Sequence, residues 1–163
     1  MSIPPLLRRL AGTLALAMAL PAAAQSVPAA NYTDMWWNPS ESGWGLSFTQ
    51  HAGTHQVYAV WYTYDPRELE APGQHKPLWI VMSGGTWTSP TSLTGPVYVT
   101  NGVPFNQPGG KTAQSQVGTF SFSFSSVNAG TFSYNIAGSG NPGDPGAGLP
   151  AFSGTKSITR QSF

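Results

Sequence analysis

Residues 117–124 read VGTFSFSF, and this octapeptide decides the fold. Phe120, Phe122 and Phe124 take every second position, with Thr119, Ser121 and Ser123 between them. Successive side chains of a strand point to opposite faces, so the rings line a dry face and the hydroxyls a wet one. Residues 131–136 repeat the pattern, with Phe132, Tyr134 and Ile136 set against Thr131, Ser133 and Asn135. Ser125–Gly130 between them is short enough for a hairpin turn.

Outward from this hairpin the same period recurs. Trp44, Leu46 and Phe48 alternate with Gly45, Ser47 and Thr49. Residues 56–64 (QVYAVWYTY) and 78–82 (LWIVM) are apolar throughout, as strands with both faces covered would be. Residues 93–100 (LTGPVYVT) read as a strand interrupted at Gly95-Pro96, and 155–162 (TKSITRQS) as a last, more polar one. No helical period occurs in residues 25–163. The expectation is an all-β fold: a single antiparallel meander of seven or eight strands, closed or nearly closed as a barrel or barrel-like sandwich. A turn is expected at 50–55, with Gly53 free to take a positive φ, and loops at 66–77, 101–116 and 138–154, the last rich in Gly and Pro and expected to be mobile. Gly84-Gly85 and Gly109-Gly110 lack the lysine and helix of a phosphate loop and read as turns.

The N-terminus has a different grammar. Arg8 and Arg9 precede an apolar run, Leu10 to Leu20, and the small residues Ala22, Ala23 and Ala24. That order predicts a secretory signal peptide over 1–24, cleaved near Ala24. The run is shorter than the ~20 residues that span a bilayer. A flexible tail is expected over 25–31 and one β domain over 32–163. The expected address is therefore the periplasm or the medium.

The chain has no cysteine, which removes a disulfide, a thiol nucleophile and a cysteine-held zinc. With none beside the cleavage site, no lipid anchor is expected. Beyond the signal, five basic residues (Arg67, Lys76, Lys111, Lys156, Arg160) face six acidic ones (Asp34, Glu41, Asp65, Glu68, Glu70, Asp144). No basic stripe is present, so nucleic acid is not an expected partner, and no transmembrane segment is expected in the mature chain.

One stretch carries a resemblance. NYTDMWWNPSESGWGLSFTQ (31–50), with AVWYTYD (59–65), KPLWIVMSGG (76–85), TGPVYVT (94–100), VGTFSFSF (117–124) and KSITRQSF (156–163), resembles a family of small secreted proteobacterial domains. Those domains open on Trp-Trp-Asn-Pro-x-Glu-Ser-Gly-Trp-Gly and end on Ile-Thr-Arg-Gln. The family has no assigned activity, so the resemblance implies export and a β domain and transfers no catalytic residue. The chain departs from the pattern at the longer 66–75 loop and at the Gly/Pro-rich insertion over 138–154.

Candidate chemistry is sparse. Asp34 and Glu41 flank the Trp36-Trp37 pair, and two carboxylates beside aromatic rings could serve glycoside hydrolysis. The plainer reading is a loop held by a turn-forming Asp and a capping Glu. His51 and His55 lie four apart with His75 elsewhere, short of the three or four converging ligands a metal needs. No serine sits in a G-x-S-x-G elbow. No catalytic residue, metal site or cofactor is expected. The stronger hint is aromatic: Trp36, Trp37, Trp44, Trp61, Trp79 and Trp87 all fall in the first half of the domain. Most such rings are core, yet flat Trp and Tyr faces also bind sugars and apolar ligands.

The leading expectation is a non-enzymatic binding or interaction module of the envelope or extracellular space, for an unknown ligand or protein partner, a glycan or apolar molecule being favoured. The alternatives are a small secreted glycan hydrolase using Glu41 or Asp34, and a structural accessory domain. The outer face of strands 56–64 and 78–82 needs a cover. Either segment 32–40 folds back over it, or a ligand or partner lies between that segment and the sheet, gripped by Trp37 and Trp79 with Glu41 as a polar contact and Trp36 and Tyr62 as further candidate contacts. Closure is expected from pairing of 155–162 with 44–50, setting Arg160 beside Trp44.

Overall fold

The computed structural model describes residues 26–71, 73–107 and 109–161. The expected signal peptide lies outside the described residues. Eight strands follow one another: β1 (Asp34–Trp37), β2 (Gly45–Gln50), β3 (Val57–Ala71), β4 (Gln74–Ser89), β5 (Ser92–Asn101), β6 (Ala113–Ser126), β7 (Ala129–Ile136) and β8 (Phe152–Arg160). Each pairs antiparallel with the next, and β8 pairs with β1, so the meander closes into a barrel. Among the described residues no helix is long and apolar enough to cross a membrane.

The alternation in VGTFSFSF is the in–out alternation of β6. Val117, Phe120, Phe122 and Phe124 are buried, with Thr119, Ser121 and Ser123 on the outer face. The phase slips by one residue at Gly118, whose φ of 148° and whose approach to Asn135 leave no room for a side chain: a Cβ there would stand 1.9 Å from the Asn135 carbonyl oxygen. This is a β-bulge, and it re-aims Val117 into the core.

The interior is filled by rings. Phe48 meets Phe122 and Phe124 edge-on, Phe120 and Phe132 are 4.9 Å apart, and Trp61 lies 5.3 Å from Phe132. Such edge-to-face contacts add to what burial of the rings already contributes. At the end where β1 begins, Tyr32 stacks on Phe124 at 4.0 Å, and its carbonyl accepts from Trp36 Nε1. Residues 26–31, expected as a tail, are tied there: Ser26 N–H donates to Trp87 O and Ala29 N–H to Pro90 O.

The opposite end is closed by a strap. The loop expected over 138–154 is shorter, because β8 begins at Phe152, and the strap over 137–151 inserts Leu149 into the core. Arg67 donates to the carbonyls of Pro145 and Ala147 at 2.8 and 2.9 Å, while Asp65 pairs with Arg67. Gly146 N–H donates to the buried Ser115 hydroxyl.

Several local expectations change. The 66–77 loop is a hairpin, because β3 and β4 continue pairing out to Ala71 and Gln74. The 101–116 loop shrinks to 102–112. Gly84-Gly85 is no turn: it lies in β4, at a register slip against β5, where a Cβ on Gly85 would meet Met82 Sδ at 2.7 Å. Gly95-Pro96 does not interrupt its strand, which pairs with β6 on both sides of it. In the β2–β3 turn the positive φ belongs to His55, not Gly53.

Closure also differs from expectation. β8 meets β1, at Trp36↔Arg160 and Trp37↔Thr159, and not 44–50. The four residues 34–37 intervene as a strand of their own, pairing with β2 on one side and β8 on the other. Arg160 accordingly lies over Trp36, at 5.3 Å from the ring centroid, and Trp44 receives Lys156 instead, at 5.1 Å.

Candidate functional site

Strand alternation sorts the expected site residues onto two sides of the wall. Trp36 is 1% exposed and belongs to the core, so it is not a ligand contact. Trp37, its neighbour, points outward and is 38% exposed. Segment 32–40 does not fold over the sheet, because 34–37 is spent on closing the barrel. The outer face of β3 and β4 therefore stays open, with Tyr58, Tyr64 and Trp79 exposed.

Register brings part of this face together. Gly45 pairs with Tyr62, and Tyr62 with Trp79; one step on, Tyr64 pairs with Pro77. Tyr62 and Trp79 meet edge to face at 5.9 Å and 79°. Gly43 lies under the Tyr64 ring, with room for a Cβ at 3.7 Å from it. Its φ of 86° is the left-handed turn that brings the chain into β2, a conformation glycine adopts without strain. The result is a hollow of about 270 Å3, lined by Gly43, Trp44, Gly45, Tyr62, Tyr64 and Trp79 with the Thr63 and Pro77 positions. Two glycines make its floor low and the rings make its walls. Trp79, at 62% exposure, offers an open indole face that packing does not use.

The hollow's electrostatics are set by what stands behind it. Glu41 accepts from Trp44 Nε1 and Asn38 Nδ2, each at 2.9 Å, and pairs with Lys156 Nζ. The Lys156 hydrogen bond, then that of Trp44, holds the Glu41 carboxyl below its ordinary value. Glu41 is thus a neutralised anchor of the β1–β2 connection and does not line the hollow. Among the described residues no charged side chain does. The Tyr62 hydroxyl lies 3.2 Å from that of Ser47, giving a polar rim that can both donate and accept.

Sequence reasoning named Tyr62 and Trp79 and missed Tyr64, Pro77 and the two glycines. The hydrolase reading gains nothing from the geometry. Asp34 accepts from the Met35 N–H and lies 3.7 Å from Arg160, whereas Glu41 lies beyond the other end of β1. A carboxyl held ionised is a poor proton donor, and a general acid needs the opposite shift. His51 Nδ1 accepts from Gly53 and Thr54, which shapes the turn. A larger hollow of about 860 Å3 flanks residues 100–104 and 112–114, but it offers no aromatic wall. Compared with known proteins, the chain matches no family model, no curated protein and no solved structure.

Proposed function

We propose that the protein is an exported, non-enzymatic binding module of the cell envelope or extracellular space, whose ligand seats on the outside of the barrel between Tyr62, Tyr64 and Trp79. The observation that carries this reading is the open face of Trp79. A large ring left 62% exposed in mid-strand, against a second ring, does nothing for the core. Exposed apolar surface of this kind marks interaction sites. Among the described residues the barrel interior is filled by phenylalanine and tryptophan rings, with residues 26–31 tied at one end and the 137–151 strap at the other. The three-part N-terminus and the Trp-Trp-Asn-Pro opening support export.

A screen of glycans, lipids and peptides against the full chain and its Trp79→Ala variant tests this. The expected result is a ligand that binds the parent and not the variant, with both melting alike. A ligand that binds both equally contradicts the reading, and no ligand for either favours a structural accessory domain.

A further inference from the structure

Resting on that binding-module reading, we infer that the ligand is a neutral pyranose ring of a glycan, stacked on Trp79 and seated over Gly45. Charge argues first. Among the described residues the lining carries none, and Glu41 and Lys156, beside Trp44, satisfy each other. A uronate, phosphate or ammonium group entering the hollow would lose water and meet no counter-charge, which is costly. A neutral ligand loses nothing by that absence.

Shape argues second. A hollow of about 270 Å3 lies below the roughly 300–1,000 Å3 of sites that enclose drug-sized ligands. It takes a single ring lying flat. The Tyr62–Trp79 corner offers such a ring one face and one edge, so its C–H face can lie on the indole while its rim turns to Tyr62.

The rim separates a sugar from the other ring that aromatic grooves accept, proline. The Tyr62 and Ser47 hydroxyls bond each other, which uses one O–H and leaves the pair one hydrogen to donate and lone pairs to accept with. Sugar hydroxyls answer both roles, whereas a proline ring has no hydrogen to donate. Gly45 completes the seat. A Cβ there would meet only the Trp36 carbonyl oxygen, at an ordinary 3.8 Å, so the barrel tolerates a side chain at this position. The space it leaves is available to a ligand.

Four probes on the full chain decide the matter by calorimetry and by NMR: maltotriose, cellotriose, tri-galacturonate and decaproline. At least one neutral trisaccharide should bind with millimolar affinity. Trp79→Ala should weaken it about tenfold or more, equivalent to about 1.4 kcal/mol. Gly45→Thr, which fills the seat without opposing the strand, should do the same while the thermal melt holds. Tri-galacturonate should bind at least about tenfold more weakly than the better neutral probe. If tri-galacturonate or decaproline binds through Trp79 and neither neutral sugar does, the binding module stands and its assigned ligand class falls. Neutral-sugar binding that survives both substitutions overturns the assigned seat. Silence from all four probes overturns the inference, while the broader screen above judges the module separately.

Discussion

The guanidinium of Arg160 lies 5.3 Å from the centre of the Trp36 indole, at the residue pair where the last strand meets the first. Arg160 also donates to the Asn31 carbonyl and lies 3.7 Å from Asp34. One cation thus ties β8 to β1 and to the segment ahead of it, across a seam of only two residue pairs. A cation over an indole contributes about 0.5–2 kcal/mol, according to burial. Arg160→Ala should lower unfolding free energy by about 1–2 kcal/mol, and Trp36→Ala by about 3–5 kcal/mol, as large core truncations do. Urea denaturation of both checks this, and an Arg160→Ala value within about 0.3 kcal/mol of zero would show that the seam needs no cation.

Acid should loosen the two charged anchors. Glu41 is held below an ordinary 4.5 by Lys156 and then Trp44; Asp65 is held below 3.8, chiefly by its hydrogen bond to Arg67, with burial opposing. A depressed folded value means that the stability is present above the ordinary value and lost as pH falls through the folded one. Melting temperature should therefore hold above about pH 5 and drop below it. Glu41→Gln should lower the plateau and flatten part of the acid limb. An unchanged acid limb in Glu41→Gln would remove Glu41 from this account.

The strap over the barrel end depends on a fork. Arg67 reaches two carbonyls of the strap while Asp65 holds its other side. Lysine cannot reproduce that geometry. Arg67→Lys should speed hydrogen exchange at Gly146 and Leu149 N–H and admit protease between 140 and 148, with exchange in β6 and β7 unchanged. Exchange unaltered in the strap would assign its hold to Leu149 and the Gly146–Ser115 hydrogen bond.

Export is tested by processing. The full chain expressed in a Gram-negative host should yield a mature protein beginning at Gln25, because Ala22 and Ala24 satisfy the small-residue rule. Intact mass reads the cleavage directly. A cytoplasmic product that keeps residues 1–24 would contradict it.

The architecture was legible wherever one face is polar. Phe120, Phe122 and Phe124 announce β6, and the hairpin expected within Ser125–Gly130 turns at Val127-Asn128. β1 was hidden, because DMWW is four residues with two adjacent indoles and shows no alternation. Which indole enters the core is settled by pairing with Leu46 and Arg160, residues far along the chain. The strap was misread because Gly and Pro report local freedom, whereas the tether is Arg67, about eighty residues away in sequence. The hollow was half legible. Tyr62 and Trp79 stood out as rings, but Gly45 read only as a strand residue and Gly43 carried no signal until the fold set them beside Tyr62 and Tyr64.

The proposed seat on the outer wall is tested most directly by shift mapping. Titrating isotope-labelled full-length protein with the better-binding neutral trisaccharide should move the Trp79 indole N–H and the Gly45 and Tyr62 amides, and leave the buried Trp36 and Trp87 indoles in place. Shifts confined to residues 100–114, or a titration at saturating sugar that moves none of the Trp79, Tyr62 and Gly45 signals, would contradict it.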